Sequence, residues 1–577
     1  MSLATSPSDR HAANGERPKR APQLPSRLMA NLFLVVGIVV LILTSRFETS
    51  TLLDRAVGTA VEIGLALLAV VFMHLEHLSI RETLRLRPPE RRHLLLALAA
   101  VPGLWITGGL LNILSALILG YVTPAPPSLY PRDALEAIVL TVVLIVAAPI
   151  FEEVMFRGYV QRAYERLGVW RGVIGGGVIF AIFHLRFQGI FAIIPVSLAL
   201  GFVAWRSGSI LNSVAMHAAH NTIGAILLIG ASFLPMHMAS ALTGALACLG
   251  ILLIPVSYGA LWLLWRETEP DRPAEVAQPR RVLRWAWVVP LVGVLGIYTY
   301  ASVTEVLVNA YPERVLADEI ALSSDEAWAA STQWDYEVQN RLGQPLGQAS
   351  CIRRLSDERY VLHCEADYEG FDLTEAYPML GESIERLPLE GLPLGLSDLA
   401  FVLSSEPKRW EATADWSEQE LRLSSLEATE EGPDAELVQL TFPAEARDAT
   451  LAVQRANGDG LTRLDIPSDQ ILMPYEWAWR LSGLPFELPF GGDVTLVHLN
   501  EDGEASLREG FLRVAGGEPV WTPSGNYVTW RVTLTYEDEQ GRTRTQAAYY
   551  EAYAPYTLVR YDDGAVSYML SSTEAAP

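Results

Sequence analysis

The sequence predicts a multi-pass α-helical membrane bundle of about nine transmembrane helices, followed by a mainly antiparallel β extracytoplasmic domain with some helix. Mean hydropathy of the 577-residue chain is +0.22, and several apolar runs before residue 304 approach the roughly 20 residues that a helix needs to cross a bilayer. About 49 acidic and 19 basic residues lie beyond Thr304, and the whole chain carries a formal net charge of −23. This asymmetry indicates two physical environments. The acidic part has no basic stripe that would bind nucleic acid.

The N-terminal segment, residues 1–27, is polar, rich in proline and basic, which predicts a disordered cytoplasmic tail. The apolar run of residues 28–44 exceeds a signal-peptide core and has no evident small-residue cleavage site, so we expect a retained signal anchor. The predicted division is N-terminal transmembrane helices in 28–133, a motif-bearing core in 134–232 and C-terminal transmembrane helices in 233–303. Further spans are predicted near residues 52–75, 93–121, 134–161, 170–187, 189–206, 209–233, 239–265 and 283–303.

The distribution of arginine predicts the orientation of these spans. The 79–92 and 266–284 loops carry five arginines each, whereas the alternate loops, such as 122–131 and 234–238, carry almost no basic residues. Because short basic loops stay in the cytoplasm, both arginine-rich loops and the N-terminus are predicted to be cytoplasmic. Nine crossings then place residues 304–577 outside the cytoplasm, in an integral membrane protein.

The acidic extracytoplasmic domain, residues 304–577, is long enough for its own core. Runs rich in β-branched and aromatic residues alternate with turn signals there, which favours an antiparallel β meander preceded by a few helices. A two-residue turn at Asp357-Glu358 would place Cys351 directly opposite Cys364 on a hairpin. A disulfide between them would suit an oxidising compartment, and two free buried thiols are the alternative. Four tryptophans are expected to be core residues: Trp477, Trp479, Trp521 and Trp530.

The fourth predicted span contains adjacent carboxylates and an arginine. Ionisable groups in hydrocarbon are costly and are therefore candidates for function. Glu153 and Arg157 are four residues apart, so they share a helix face and can pair. Glu152 points about 100° away and remains available to hold or deprotonate water. Pro149 removes a backbone hydrogen bond and is expected to expose polar backbone near both glutamates. A structural ion pair at a helix end is the alternative interpretation of this stretch.

Two later spans add histidines. His184 follows Phe180 by one turn, after a glycine-rich run that permits close helix approach. If His184 meets Glu152, the two groups can activate one water molecule. His217 and Asn221 share one face of the seventh predicted span, and both can donate hydrogen bonds to a developing oxyanion. Interhelical hydrogen bonding that holds the bundle together is the alternative for this pair.

Together the three clusters resemble the CPBP family of intramembrane proteases, also called the CAAX-protease or Abi family. The family pattern is E-E-x-x-x-R, then F-x-x-x-H, then H-x-x-x-N, and the resemblance covers roughly residues 134–232. The acidic domain lies outside the resemblance. The matching residues are Glu152-Glu153-Val154-Met155-Phe156-Arg157, Phe180-Ala181-Ile182-Phe183-His184 and His217-Ala218-Ala219-His220-Asn221.

The resemblance implies a catalytic role for each motif residue. It implies that Glu152 and His184 activate the hydrolytic water, and that His217 and Asn221 stabilise the oxyanion. Glu153 and Arg157 are then supporting residues that orient the site. The family has been described as metal-dependent, so a zinc site made by Glu152, His184 and His217 is the alternative, with metalloendopeptidase activity. We favour the metal-free mechanism, without a cofactor, because it gives His217 and Asn221 distinct work as donors.

The resulting hypothesis is an intramembrane endopeptidase that acts at or near the cytoplasmic side on a peptide or membrane protein, including lipid-modified ones. A non-catalytic, membrane-anchored binding or bacteriocin-immunity-type protein, which would act through an extracytoplasmic ligand of residues 304–577, is the main alternative. A transporter that uses Glu152 and Glu153 as a proton relay is a third. Glu62, in the second predicted span, lies outside the motifs and is expected to be paired or to line a wet cavity.

Overall fold

A computed structural model describes most of the chain, in two compact units that are treated separately below. The first unit comprises residues 1–120, 138–226 and 244–305, and the second comprises residues 121–137, 227–243 and 306–577. The predicted N-terminal tail up to residue 22, most of the 266–284 loop and the Asp357-Glu358 turn lie outside the described residues. The described ranges are 23–44, 51–234, 236–268, 285–316, 332–356, 359–370, 408–415, 420–429, 432–441, 450–455, 461–465, 471–472, 477–486, 488, 490–499, 505–538 and 541–575.

The first half of the chain is helical, as predicted. The longer helices have the bounds α1 Arg27–Thr44, α2 Thr51–Leu75, α4 Arg91–Ala99, α5 Val101–Leu119, α9 Val169–Phe183, α10 Ile190–Arg206, α11 Ile210–Phe233, α12 Met236–Leu252, α13 Ile254–Glu267 and α14 Val288–Ala310; α3, Ile80–Thr83, and α15, Pro312–Val315, are single turns. Between α5 and α9 one long helical segment runs as α6 Ala134–Val142, a π-helical turn Val143–Ala147, α7 Ala148–Glu153, a π-helical stretch Val154–Val160, α8 Gln161–Tyr164 and a 3₁₀ turn Glu165–Leu167.

The predicted count of nine transmembrane helices is not confirmed. Within the described residues six helical segments are long and apolar enough to cross a membrane, or seven if α12 and α13, bent by 48° at their junction, form one span. The remaining two predicted spans are α9 and α10, with only 15 and 17 residues. At 1.5 Å per residue they measure about 22 and 26 Å, short of the roughly 30 Å hydrocarbon core. They form a helical hairpin joined by the loop His184–Gly189.

Close packing of α9 depends on its small residues, as the sequence predicts. A Cβ on Gly177 would lie 2.8 Å from the Leu198 side chain, and one on Gly176 would lie 3.0 Å from Gln161 Cβ. The glycines therefore let α9 approach α10 and the α8 segment at backbone distance. This approach brings the C-terminal end of α9 to the helix that carries the paired glutamates.

The second unit is built on one sheet that contains all fifteen described strands. Its order is β8-β7-β6-β5-β4-β3-β2-β1-β15-β14-β13-β12-β11-β10-β9, so two meanders meet where β1 pairs with β15. Every pairing is antiparallel except that of β9 with β10, and the predicted antiparallel domain is therefore confirmed. The strands are β1 Thr332–Gln339, β2 Pro345–Ser356, β3 Arg359–Tyr368, β4 Lys408–Asp415, β5 Glu420–Thr429, β6 Gly432–Thr441, β7 Thr450–Arg455, β8 Leu461–Asp465, β9 Ile471–Leu472, β10 Gly491–Leu499, β11 Ala505–Thr522, β12 Gly525–Glu537, β13 Thr543–Glu551, β14 Leu558–Asp562 and β15 Ser567–Ala575, with a short helix α16 at Trp477–Arg480.

Aromatic residues and a disulfide form the core of this sheet. Trp477 and Trp479, both in α16, and Trp530 are buried as predicted, whereas Trp521, near the end of β11, is 43% exposed and the core prediction is wrong for it. Cys351 on β2 lies directly opposite its disulfide partner on β3, and both are buried in the core. The strand register that was predicted from the cysteine spacing is thereby confirmed.

The segment between α5 and α6 belongs to the second unit and packs on β11. The Gly517 amide donates a hydrogen bond to the Ala125 carbonyl at 2.8 Å, and a Cβ at Gly517 would lie 2.6 Å from Pro127 N. The Arg132 guanidinium lies 4.2 Å from the centre of the Tyr553 ring. The chain enters the helix that carries the glutamates directly from this packed segment.

Candidate active site

The π-helical turn before Pro149 explains where the proline leaves backbone unsatisfied. In this turn the Ala148 amide donates to the Val143 carbonyl, five residues earlier. The next bond of the same type would run from residue 149 to the Leu144 carbonyl, but proline has no N–H. Asn221 Nδ2 donates to this oxygen at 2.9 Å instead. The freed carbonyl therefore lies two turns before the glutamates, and the predicted exposure of polar backbone beside them is replaced by this interhelical bond.

Glu153 is the centre of a buried charged cluster. Its side chain is fully buried, and its Oε1 accepts hydrogen bonds from Arg157 Nη1 at 2.8 Å and from His217 Nδ1 at 3.1 Å. Arg157 Nη2 donates to the carbonyl and hydroxyl oxygens of Ser197, at 3.1 and 3.2 Å. Buried ions require this kind of pairing. The predicted Glu153–Arg157 pair therefore exists, and it also fixes the orientation of His217.

Glu152 has a different environment from its neighbour. Its side chain is 18% exposed, and its Oε2 lies 3.8 Å from His217 Nε2, beyond hydrogen-bonding distance. That oxygen is buried and has no hydrogen-bond partner within the described part of the chain. An unsatisfied buried carboxylate oxygen is costly and usually marks a functional position or an unseen water.

His184 ends α9 beside the same cluster. Its Nδ1 donates to the Phe180 carbonyl at 2.9 Å, which leaves Nε2 as the basic nitrogen of the neutral ring. The Phe180 ring packs edge-on against both imidazoles, with centroid distances of 4.8 Å to His184 and 6.0 Å to His217. The guanidinium of Arg157 lies 4.3 Å from the centre of the same ring. The two imidazoles therefore pack against the same aromatic ring, that of Phe180.

The six predicted site residues therefore lie on three neighbouring helical segments of the first unit. Residues 134–223, which contain all six, match the family model described as "Type II CAAX prenyl endopeptidase Rce1-like". Residues 134–223 form a CAAX-protease-like core. The predicted resemblance to the CAAX-protease family is confirmed over this range.

Comparisons of the chain with curated proteins and with solved structures do not extend the match beyond the CAAX-protease-like core. No curated protein matches the chain at a significant level. A crystal structure described as that of a lipoprotein from Parabacteroides distasonis matches 43% of this chain and 96% of its own length, at 10% sequence identity. Its TM-score is 0.16, so the likeness carries no structural argument.

The alternative zinc site is not assembled by the CAAX-protease-like core. Within the described ranges no group of three or more His, Cys, Asp or Glu side chains is arranged to hold a metal ion. The Nδ1 atoms of His184 and His217 are both engaged in hydrogen bonds, to a carbonyl and to Glu153 respectively, so only the Nε2 atoms could be ligands. As placed, the Glu152, His184 and His217 side chains do not form a group that could hold a metal, so we derive no step through one.

Two residues that contact or lie near the site were not assigned to it from the sequence: Ser197 was not identified, and Glu62 was placed outside the motifs. Ser197, on α10, binds Arg157 through its carbonyl and hydroxyl and donates its own hydroxyl to the Gly177 carbonyl at 2.8 Å. Nothing in the local sequence distinguishes this serine from other small residues in α10. Glu62, on α2, interacts electrostatically with Glu152, and its Oε2 is buried without a hydrogen-bond partner among the described residues. The expectation that Glu62 is paired or lines a wet cavity stays a prediction.

Proposed function

We propose that the chain is an intramembrane endopeptidase that hydrolyses a peptide bond with a water molecule activated by Glu152. The observation that carries this proposal is that Glu152 Oε2, 3.8 Å from His217 Nε2, is buried without a hydrogen-bond partner among the described residues. Glu153 also has one buried oxygen without such a partner, but its Oε1 accepts from both Arg157 and His217. A site that pairs one carboxylate with arginine and leaves its neighbour without an arginine partner is suited to transfer a proton from a bound water to that neighbour.

The imidazoles and Asn221 have complementary roles in this mechanism. His184, whose Nδ1–H is held by the Phe180 carbonyl, presents a basic Nε2 that helps to position the water. His217 donates its Nδ1–H to Glu153, so this mechanism requires its imidazolium form, in which Nε2 also carries a proton and donates to the carbonyl oxygen of the substrate as that oxygen becomes negative. Asn221 Nδ2 has two N–H groups and uses one on Leu144, so the second remains for the oxyanion.

The proposed steps have the same overall stoichiometry as uncatalysed amide hydrolysis. Water attacks the carbonyl carbon as Glu152 accepts its proton, and the resulting oxyanion receives hydrogen bonds from His217 and Asn221. The carbon–nitrogen bond then breaks, and the proton held by Glu152 passes to the leaving amine. No step requires a cofactor, and Glu152 is returned to its starting charge.

We further propose that residues 304–577 lie outside the cytoplasm. If α12 and α13 form one span, the described residues contain seven spans, which is an odd number. With an α9–α10 hairpin that enters and leaves on one side, the two ends of the membrane part then lie on opposite sides. Arg81, Arg85, Arg87, Arg91 and Arg92 favour a cytoplasmic position for the loop between α2 and α4. A buried disulfide in the sheet domain agrees with an oxidising compartment for the other end. The substrate is then a peptide or membrane protein, including lipid-modified ones, that reaches a site between helices.

A comparison of peptide ends tests the proposal. The membrane fraction of cells that produce the full chain is compared with that of cells producing Glu152→Gln, which keeps the shape and removes the base. A matched control is Glu90→Gln, because the Glu90 side chain is 66% exposed and lies outside the site. We expect a set of new peptide ends with the wild type and the control that falls by about 10²-fold or more with Glu152→Gln.

The same comparison identifies the main alternative. If all three proteins insert and elute as folded species but give identical peptide ends, the endopeptidase assignment is wrong. The chain then acts by binding through residues 304–577, and their deletion, not the Glu152 substitution, removes its effect.

A further inference from the structure

The loop that follows His184 is held by a residue far away in the sequence. The Phe187 and Gln188 amides donate to the two carboxylate oxygens of Glu305, at 2.7 and 2.9 Å. Glu305 lies in α14, outside the residues that match the family model. One carboxylate thus receives two backbone hydrogen bonds from adjacent residues, and hydrogen bonds to an ionised acceptor are stronger than neutral ones.

The loop needs external support. Leu185 has a φ of 53°, a conformation that is uncommon for residues other than glycine. The helix α9 ends four residues before Phe187, so the Phe187 and Gln188 amides lie beyond its hydrogen-bonding pattern and are paired by the carboxylate. Because His184 is the first residue of this turn, the position of the loop sets the direction in which its imidazole leaves the helix.

A second set of bonds fixes the other end of the loop. The Gln188 side chain, 3% exposed, donates to the carbonyl and side-chain oxygens of Asn112 at 3.1 and 2.9 Å. Ser115 donates its hydroxyl to the Gln188 carbonyl at 2.9 Å. Gln188 is thereby anchored to α5, and Glu305 supplies the anchor from α14. The loop is held between two helices that carry no motif residue.

We propose that Glu305 is a positioning residue for His184: by holding the Phe187 and Gln188 amides, it fixes the turn that begins at His184 and so the position of the imidazole beside Phe180 for peptide hydrolysis. The proposal rests on the endopeptidase function proposed above. It also gives α14, which carries no motif residue, a part in catalysis through the Glu305 side chain.

Two variants and one control test the role of Glu305 in the full-length protein in lipid vesicles. Glu305→Gln keeps one accepting oxygen, and Glu305→Ala keeps none. Thr304→Ala, at an outward-facing position of the same helix, is the control. The first readout is hydrogen–deuterium exchange of the peptide that covers residues 184–189. We expect faster exchange there in the order Ala, then Gln, then wild type and Thr304→Ala, without a change in the peptide that covers residues 152–157.

The second readout is the split between kcat and KM for a peptide taken from the ends that disappear with Glu152→Gln. A misplaced imidazole lowers kcat by about 10- to 100-fold for Glu305→Ala and less for Glu305→Gln, with KM unchanged. Faster loop exchange with an unchanged kcat would overturn the positioning role, and so would a lower kcat without any change in loop exchange. If Glu152→Gln alters no peptide ends, the proposed function fails, whereas unchanged exchange in both Glu305 variants refutes the anchoring contact independently.

Discussion

Substitution of Asn221 and Pro149 separately and together tests the explanation of the π-helical turn. Asn221→Ala leaves the Leu144 carbonyl without its donor at 2.9 Å. An unsatisfied buried acceptor costs about 1–3 kcal/mol, and interhelical hydrogen bonds in membrane proteins average about 0.6 kcal/mol, so we expect a loss of about 1 kcal/mol. Pro149→Ala restores an N–H at the position that π-helical bonding requires. The double variant should therefore lose less stability than Asn221→Ala alone.

The assay is equilibrium unfolding of the purified full chain in mixed micelles with increasing SDS, followed by circular dichroism. Thr222→Ala is the matched control, because its hydroxyl bonds only the Ala218 carbonyl of its own helix. If the costs of Asn221→Ala and Pro149→Ala simply add, within about 0.5 kcal/mol, the two positions do not share the Leu144 carbonyl and the explanation is refuted.

Activity of the same variants separates the two roles of Asn221. Loss of one oxyanion donor lowers kcat by about 10²- to 10³-fold. Pro149→Ala supplies a backbone donor to Leu144 but none to the oxyanion, so it should restore stability and not kcat. A double variant that regains both would show that Asn221 serves the fold alone.

Three further predictions concern other contacts. Arg157→Lys keeps the charge but loses the planar fork, and we expect a loss of about 1–2 kcal/mol in the same unfolding assay, against about 3–5 kcal/mol for Arg157→Gln; equal losses would contradict the geometry. Replacing Cys351 and Cys364 by serine removes a disulfide between residues 13 apart in the sequence and should lower the free energy of unfolding by about 3 kcal/mol. Maleimide labelling of the unfolded wild type should rise from one thiol to three when the disulfide is reduced. Burial raises the pKa of Asp335, but hydrogen bonds to its carboxylate, including one from Ser572, outweigh burial and bring the pKa below the ordinary 3.8. The stability that they add is present above pH 3.8 and is lost as the pH falls through the lower folded-state pKa, so wild type and Asp335→Asn should converge in acid.

Periodicity and composition were sufficient for the architecture, but helix length limited the count of spans. Apolar runs predict helices near residues 170–187 and 189–206 equally well whether they cross the bilayer or turn back within it. The structure ends α9 at Phe183 and begins α10 at Ile190, because the polar turn between them is anchored by distant side chains. A window of local hydropathy contains no information about such anchors.

The π-helical turns could not be predicted from the sequence either. Residues 134–151 are apolar on nearly every side, so no polar stripe distinguishes 3.6 residues per turn from the wider π spacing. Proline at position 149 did indicate a missing hydrogen bond, and the prediction of a freed backbone oxygen was sound in kind. Its position, five residues before the proline, follows only from the local helix type.

The pairing within the motifs was predictable where it depends on helix geometry and unpredictable where it depends on helix packing. The spacing of Glu153 and Arg157 identified their contact and assigned the free carboxylate to Glu152. The sequence associated Glu152 with His184, whereas the structure places His217 nearest to both glutamates. Arg157 and Glu153 pair with each other, while Glu152 Oε2 lies 3.8 Å from His217 Nε2. A water or substrate oxygen that contacts both of these atoms from one side would meet a proton acceptor on Glu152 and, on an imidazolium, a hydrogen-bond donor, which is the arrangement that the proposed hydrolysis requires.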